Sequence, residues 1–196
     1  MTPAEVSMDG VTRGKNDRIE YSLKYLPLPI IHKSFQINIR VLNASRNLGQ
    51  SLDTAQAELA GIKVADLVED ILFNGYDSFS YGGGVIYGYC DVPTRTTIDM
   101  TEVWTAAGKT GEEILADVLA MKQAAIDAYH YGPFVLYIPT AYETVLDDDF
   151  KAASDRSLRE RILAISGIED IKVSDHLAAN NVVLVEMDTQ TVRMVE

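Results

Sequence analysis

The chain has 196 residues, 47% of them hydrophobic and 23% charged, which is enough for one core and, at most, an appendage. Its formal net charge of −12 argues against a direct nucleic-acid binder, because phosphate contacts require clustered Lys and Arg. The single cysteine, Cys90, excludes an intrachain disulfide framework and points to a reducing compartment, and no apolar run is long enough to span a membrane.

The N-terminus lacks the basic-then-apolar pattern of a signal peptide. Residues 1–21 are polar and turn-rich, with Arg18-Ile19-Glu20-Tyr21 reading as a short strand. The next stretch, Leu23 to Ile31, is apolar and carries Pro27 and Pro29. These prolines forbid a helix or a central strand, so the segment is an extended edge or a loop tip. Two readings stand for it: a loop folded back on its own core, or an arm that buries its apolar side chains on another subunit.

Phe35 to Val41 alternates apolar and polar residues, which predicts a strand, with Asn43 to Ser51 as a linker. A long amphipathic helix then runs from Leu52 to Asn74. Asp53 and Gln56 supply its N-terminal cap, and Gly75 stops it. Val64, Leu67, Val68, Ile71 and Leu72 share one of its faces, and Ala57, Ala60 and Gly61 extend that face with small residues. Tyr76 to Tyr89 is aromatic and glycine-rich. Gly82-Gly83-Gly84 reads as a flexible turn, since neither a phosphate-loop nor a dinucleotide fingerprint surrounds it. Loops and short strands follow through Pro93-Thr97 and Trp104-Gly108.

A second long helix starts at the capping box Thr110-Gly111-Glu112-Glu113. Ile114, Val118, Met121 and Ala125 form its seam, Leu115, Leu119 and Ile126 widen it, and Gly132-Pro133 ends it. Phe134 to Ile138 is a continuous apolar run, the pattern of a sheet's middle. A third helix opens at Pro139 with another Thr-x-x-Glu box and ends at Asp147-Asp148-Asp149, an acidic triplet read as a solvated turn. A short fourth helix starts at Ser157 and stops at Gly167. Strands are expected over 168–173, 182–186 and 192–195.

Chemistry-bearing constellations are weak. His32, His130 and His176 are far apart and have no ligand spacing, so no metal site is expected. The acidic triplet lacks the register of a calcium loop. Cys90 has no nearby histidine and G-x-S-x-G is absent. The chain is therefore read as not an enzyme and without a cofactor.

Tyr25-Leu26-Pro27-Leu28-Pro29-Ile30-Ile31-His32-Lys33-Ser34-Phe35, followed by Asn43-Ala44-Ser45-Arg46 and Leu52-Asp53-Thr54, resembles the corresponding stretch of tailed-phage major capsid proteins. The resemblance continues through Ile71 to Gly75 and Tyr131 to Ile138 and covers nearly the whole chain. It implies an α+β HK97-type fold, shared with encapsulins. Residues 1–42 would form the extended β-hairpin arm (E-loop). Residues 43–131 would form a peripheral domain with the spine helix (52–74) and a second long helix (110–131). Residues 132–196 would form an axial-domain-like α/β region. The N-terminal arm ahead of the E-loop and the C-terminal return strand usual in that family have no counterpart here, which implies a piece of a longer chain or a small member. Some relatives cross-link a Lys to an Asn; Lys15, Lys24 and Lys33 lie in the arm, but no partner is identified.

The residue readings and the resemblance agree on a self-assembling shell subunit; the resemblance implies that it forms hexamers and pentamers around packaged double-stranded DNA in a virion assembled in the host cytoplasm. Tyr25, Leu26, Leu28, Ile30, Ile31 and Phe35 are its expected subunit interface. The alternatives are an encapsulin-like compartment and a soluble enzymatic or small-molecule-binding domain.

Overall fold

The computed structural model describes residues 8, 18, 21–23, 25–49, 52–151, 155–189 and 191–192, apart from the side chains of 52–55, 79 and 80. The expected strand over 192–195 falls almost wholly outside this set, as do Ile19 and Glu20 of the expected strand at Arg18 to Tyr21.

The chain is mixed α+β. Residues 25–38 are extended without strand pairing, and helix α1 (Ile39–Asn47) follows. The strand expected over Phe35 to Val41 and the linker expected from Asn43 are thus replaced by coil and helix. The reason is local. Asn38, a polar position in the alternating pattern, is an N-cap whose side chain accepts the Arg40 N–H at 2.9 Å. Gly49, at φ +76°, takes the left-handed position beyond the C-cap Leu48.

Helix α2 (Leu52–Asn74) matches the expected bounds, while the expected caps Asp53 and Gln56 include a side chain outside the described set. Its last carbonyls are not left unpaired. The Gly75 N–H donates to Ile71 O, the Tyr89 N–H to Leu72 O and the Cys90 N–H to Phe73 O. This return brings Gly88 against the helix end so closely that a Cβ on it would lie 2.4 Å from Gly75 N. Between the two contacts, β1 (Tyr76–Tyr81) and β2 (Gly84–Ile86) form an antiparallel hairpin. Its two-residue turn, Gly82-Gly83, has positive φ at both positions, which favours glycine and suits the strands' twist. The glycine run is therefore a hairpin turn rather than a loose connection. Residues 87–110 form turns and coil without the short strands expected there.

The core lies in the second half. Helix α3 (Gly111–Asp127) begins with the expected capping box: the Glu113 N–H donates to Thr110 Oγ, and the Thr110 N–H donates to Glu113 Oε2. Strand β3 (Phe134–Pro139) is central, as its apolar run implies. It pairs in parallel with β4 (Ile168–Ser174) and antiparallel with β5 (Val183–Glu186). Ile114 and Val118 of α3 pack with Phe134, Leu136 and Ile138 of β3. They also meet Leu146 of α4 (Glu143–Leu146) and Leu158 and Ile162 of α5 (Leu158–Leu163). Ser157 caps α5, accepting the Glu160 N–H.

The Thr-x-x-Glu box expected ahead of α4 does not form. Thr140–Tyr142 is a 3-10 turn without a side-chain cap. Glu143 instead faces Arg159, its Oε1 lying 2.9 Å from Nη2 in an ion-pair contact, while Arg159 Nε donates to Asp147 at 2.8 Å. The acidic triplet is an exposed turn whose Asp148 carbonyl accepts the Leu158 N–H.

Candidate subunit interface

The extended segment is fixed at one point. Pro27 is buried, and a Cβ added to Gly84 of β2 would lie 2.4 Å from Tyr25 O and 2.8 Å from Pro27 Cδ. The hairpin thus accepts the crossing segment only because Gly84 has no side chain. On either side of this anchor the apolar side chains are uncovered. Tyr25, Leu26, Leu28, Ile30 and Phe35 are exposed, Ile30 to 88%, and Ile31 is half-buried. Among the described residues of this loop, the alternative in which it folds back on its own core holds for Pro27 and, partly, for Pro29 and Ile31.

Helix α2 presents a second uncovered apolar surface. Of its expected stripe, Val64 and Ile71 are half-buried, while Leu67, Val68 and Leu72 are exposed. Leu59 and Ile62 are 62% and 60% exposed. Among its described side chains only Phe73 is fully buried, packing edge-on against Tyr89 at 5.7 Å and Tyr137 at 5.2 Å between ring centres. The other links to the sheet lie in the same end of the helix. Ser174 Oγ donates to Glu69 at 3.0 Å, and the Asn74 amide donates to the His176 carbonyl at 2.9 Å. An apolar face this long is seldom left in water unless something else covers it.

One signal in the sequence singles these surfaces out. Residues 21–51 contain four basic residues (Lys24, Lys33, Arg40 and Arg46) and no acidic one, in a chain with 29 acidic residues. Helix α2 has the opposite sign, with Asp53, Glu58, Asp66, Glu69 and Asp70 against Lys63 alone. Net charge conceals this partition. It adds Lys33, Arg40, Glu58 and Asp66 to the apolar positions as interface candidates.

Other titratable groups are held by burial and hydrogen bonds. Burial, and then Asp91, pushes the Cys90 thiol up, so it is held as thiol rather than as a reactive thiolate. Burial likewise pushes the Tyr89 and Tyr137 phenols up. Glu186 is a hub: Oε1 accepts the Tyr131 N–H at 3.0 Å and the Gly132 N–H at 2.9 Å, while Oε2 accepts Thr191 Oγ–H at 2.9 Å and meets His130 Nδ1. Desolvation raises this carboxyl, but Gly132, His130 and Thr191 outweigh it and leave it below the ordinary value. Among the described residues no cluster of His, Cys, Asp or Glu is placed to hold a metal ion, and no helix is long and apolar enough to cross a membrane.

No curated protein matches the chain. A family model matches residues 1–196, and the chain belongs to that family, a family of unknown function (DUF6260).

Proposed function

We propose that the protein is a structural subunit of a closed shell, of the HK97 type found in tailed-phage major capsid proteins, assembling through hexamers and pentamers around double-stranded DNA. One observation carries the reading: an uncovered, acid-free apolar segment and an uncovered, acidic apolar helix occur in the same chain. Two such surfaces on one copy can satisfy each other on neighbouring copies, and a repeated head-to-tail contact closes when its rotation closes. In this assignment the arm expected over residues 1–42 ends at residue 38, the N-cap of α1, Leu52–Asn74 is the spine, and the region from 132 onward is the axial part. The interface residues are Tyr25, Leu26, Leu28, Ile30, Ile31 and Phe35. Each aliphatic side chain buried fully at the contact contributes about 1.5–3 kcal/mol. A virion assembled in the host cytoplasm is the corresponding location.

The test uses the full chain and the double variant Leu28→Asp/Ile30→Asp. Light scattering and electron microscopy of the unmodified protein should give closed particles, with nuclease-protected DNA when they are isolated from the native source. The variant should remain unassembled. Because both positions are exposed, 61% and 88%, its circular dichroism should stay that of the folded chain. A strictly monomeric unmodified protein at high concentration refutes the proposal. So does a variant that unfolds, which would make the segment core.

A further inference from the structure

His176 lies in the turn after β4, is half-buried, and is bracketed by two carboxylates of α2. Its Nε2 is 3.2 Å from Asp66 Oδ1 and its Nδ1 is 3.5 Å from Asp70 Oδ1. The two aspartates stand at i and i+4, one helical turn apart on one face, so a single ring spans them. From the geometry we infer that His176 is a proton-operated latch, which fastens the C-terminal half of α2 to the sheet when the imidazole is charged and loosens it when the imidazole is neutral.

Donor count distinguishes the two states of the ring. A neutral imidazole has one N–H and one lone pair, so facing two carboxylates it satisfies one and repels the other. Only the imidazolium donates from both nitrogens. The surrounding charges leave that role to His176. From α2, Lys63 Nζ contacts the other oxygen of Asp66 at 3.1 Å, and the Asn74 amide donates to Asp70 Oδ1 at 2.8 Å. Glu69, between the two aspartates, is taken up by Ser174 Oγ. On the strand side, Asp175 is exposed beside the histidine, and Lys172 pairs with Asp170 at 3.9 Å. Neither aspartate therefore receives a lysine or arginine from the sheet among these contacts, and His176 is the group that joins them to it. Lys63, first, and His176 hold the Asp66 carboxyl below its usual range, so that side of the latch stays charged in mildly acidic solution. The other links at this end, the Phe73 packing, the Asn74 amide and the Ser174–Glu69 hydrogen bond, do not involve the imidazole. The latch thus governs how firmly the helix is held, not whether it is attached. Histidine is the side chain whose charge ordinarily changes between about pH 5 and 8. This inference does not depend on shell assembly.

Two measurements on the full chain test it. In ¹⁵N-histidine-labelled protein, the pair of ring signals absent from His176→Gln should report two protonated nitrogens at pH 5.5 and one at pH 8.5. Hydrogen exchange of amides over 62–74, corrected for the intrinsic pH dependence, should be about two- to fivefold faster in His176→Gln than in the unmodified chain at pH 5.5, the scale of a partly exposed ion pair. The two should agree at pH 8.5. Asp66→Asn/Asp70→Asn, which keeps the imidazole, should reproduce the His176→Gln exchange at pH 5.5. Equal exchange in all three proteins at both pH values, or the same difference at both, overturns the latch. A His176 ring that carries only one proton at pH 5.5 overturns it as well.

Discussion

Removal of the Asp117 carboxylate tests how the turn before α3 is locked to the core. Asp117 Oδ2 accepts the Trp104 Nε1–H at 3.1 Å and lies 3.0 Å from Lys109 Nζ. The Lys109 side chain is only 5% exposed, and Asp117 is the carboxylate in ion-pair contact with its ammonium among the described residues. Trp104 is fully buried and stacks on Tyr142, with ring centres 5.0 Å apart. In Asp117→Ala the lysine becomes a buried cation without its partner, which costs about 3–5 kcal/mol. The indole N–H loses its acceptor as well, a loss of about 1–3 kcal/mol that overlaps the first because one group serves both. The expected net loss is about 4 kcal/mol. For a chain of this size that lowers the melting temperature by about 8–16 °C. Asp117→Asn keeps an acceptor for Trp104 and should fall between the two. Lys109→Met added to Asp117→Ala should recover part of the loss, because no charge is then stranded. Thermal and urea unfolding followed by Trp104 fluorescence measures all four proteins. A loss under about 1 kcal/mol in Asp117→Ala, or a double variant no more stable than Asp117→Ala, refutes the account.

Glu186 accepts two backbone N–H groups and sits below its ordinary titration range. A depressed carboxyl contributes stability that is present above its unfolded value and is lost as pH falls through its folded value. Thermal stability should therefore drop below about pH 4.3, and Glu186→Gln should flatten that acid limb in a pH series of melting curves. Gly84→Ala should displace the segment from Tyr25 to Pro27, since its Cβ would stand 2.4 Å from a backbone oxygen. Faster chymotryptic cleavage at Tyr25 with unchanged Trp104 fluorescence is the expected result, and an unchanged cleavage rate would contradict it. Because residues 21–51 are basic and α2 is acidic, the rate of self-association should fall steeply between about 0.1 and 1 M salt, as the screening length drops from about 10 to 3 Å. Light scattering across a salt series measures it, and a salt-independent rate would separate the two segments.

The regular elements with strong local signals were legible. Thr110 and Glu113 close their box as the spacing requires, and the unbroken apolar run at Phe134 is the middle strand. The bounds of α2 follow from its period and from Gly75. The misreading at Phe35 to Val41 has a physical cause: seven alternating residues satisfy a strand template, but one of the polar positions, Asn38, is among the strongest helix initiators. The second Thr-x-x-Glu, at Thr140, failed because Arg159, sixteen residues beyond Glu143, competes for the same carboxylate. No local pattern contains that competitor. Trp104 and its partners were also invisible, since they join a turn to the interior of a helix.

The candidate interface shows a different limit. Helical periodicity reports that a face needs covering, not whose atoms cover it. On α3 the same kind of stripe packs on the chain's own sheet, with Ile114 and Val118 buried. On α2 it leaves Leu59, Ile62, Leu67, Val68 and Leu72 in solvent. The two helices differ in what their neighbours in the chain supply. The turn before α3 delivers Trp104 and Lys109 onto it, and the strands after it close the sheet. α2 is preceded by a basic segment pinned at Pro27, with its apolar side chains turned outward. Residues 28–38 run from that anchor to the N-cap of α1, and the apolar side chains of both the arm and α2 are left uncovered within the chain. The proposed exchange between copies would cover both surfaces while leaving the Pro27–Gly84 anchor in place.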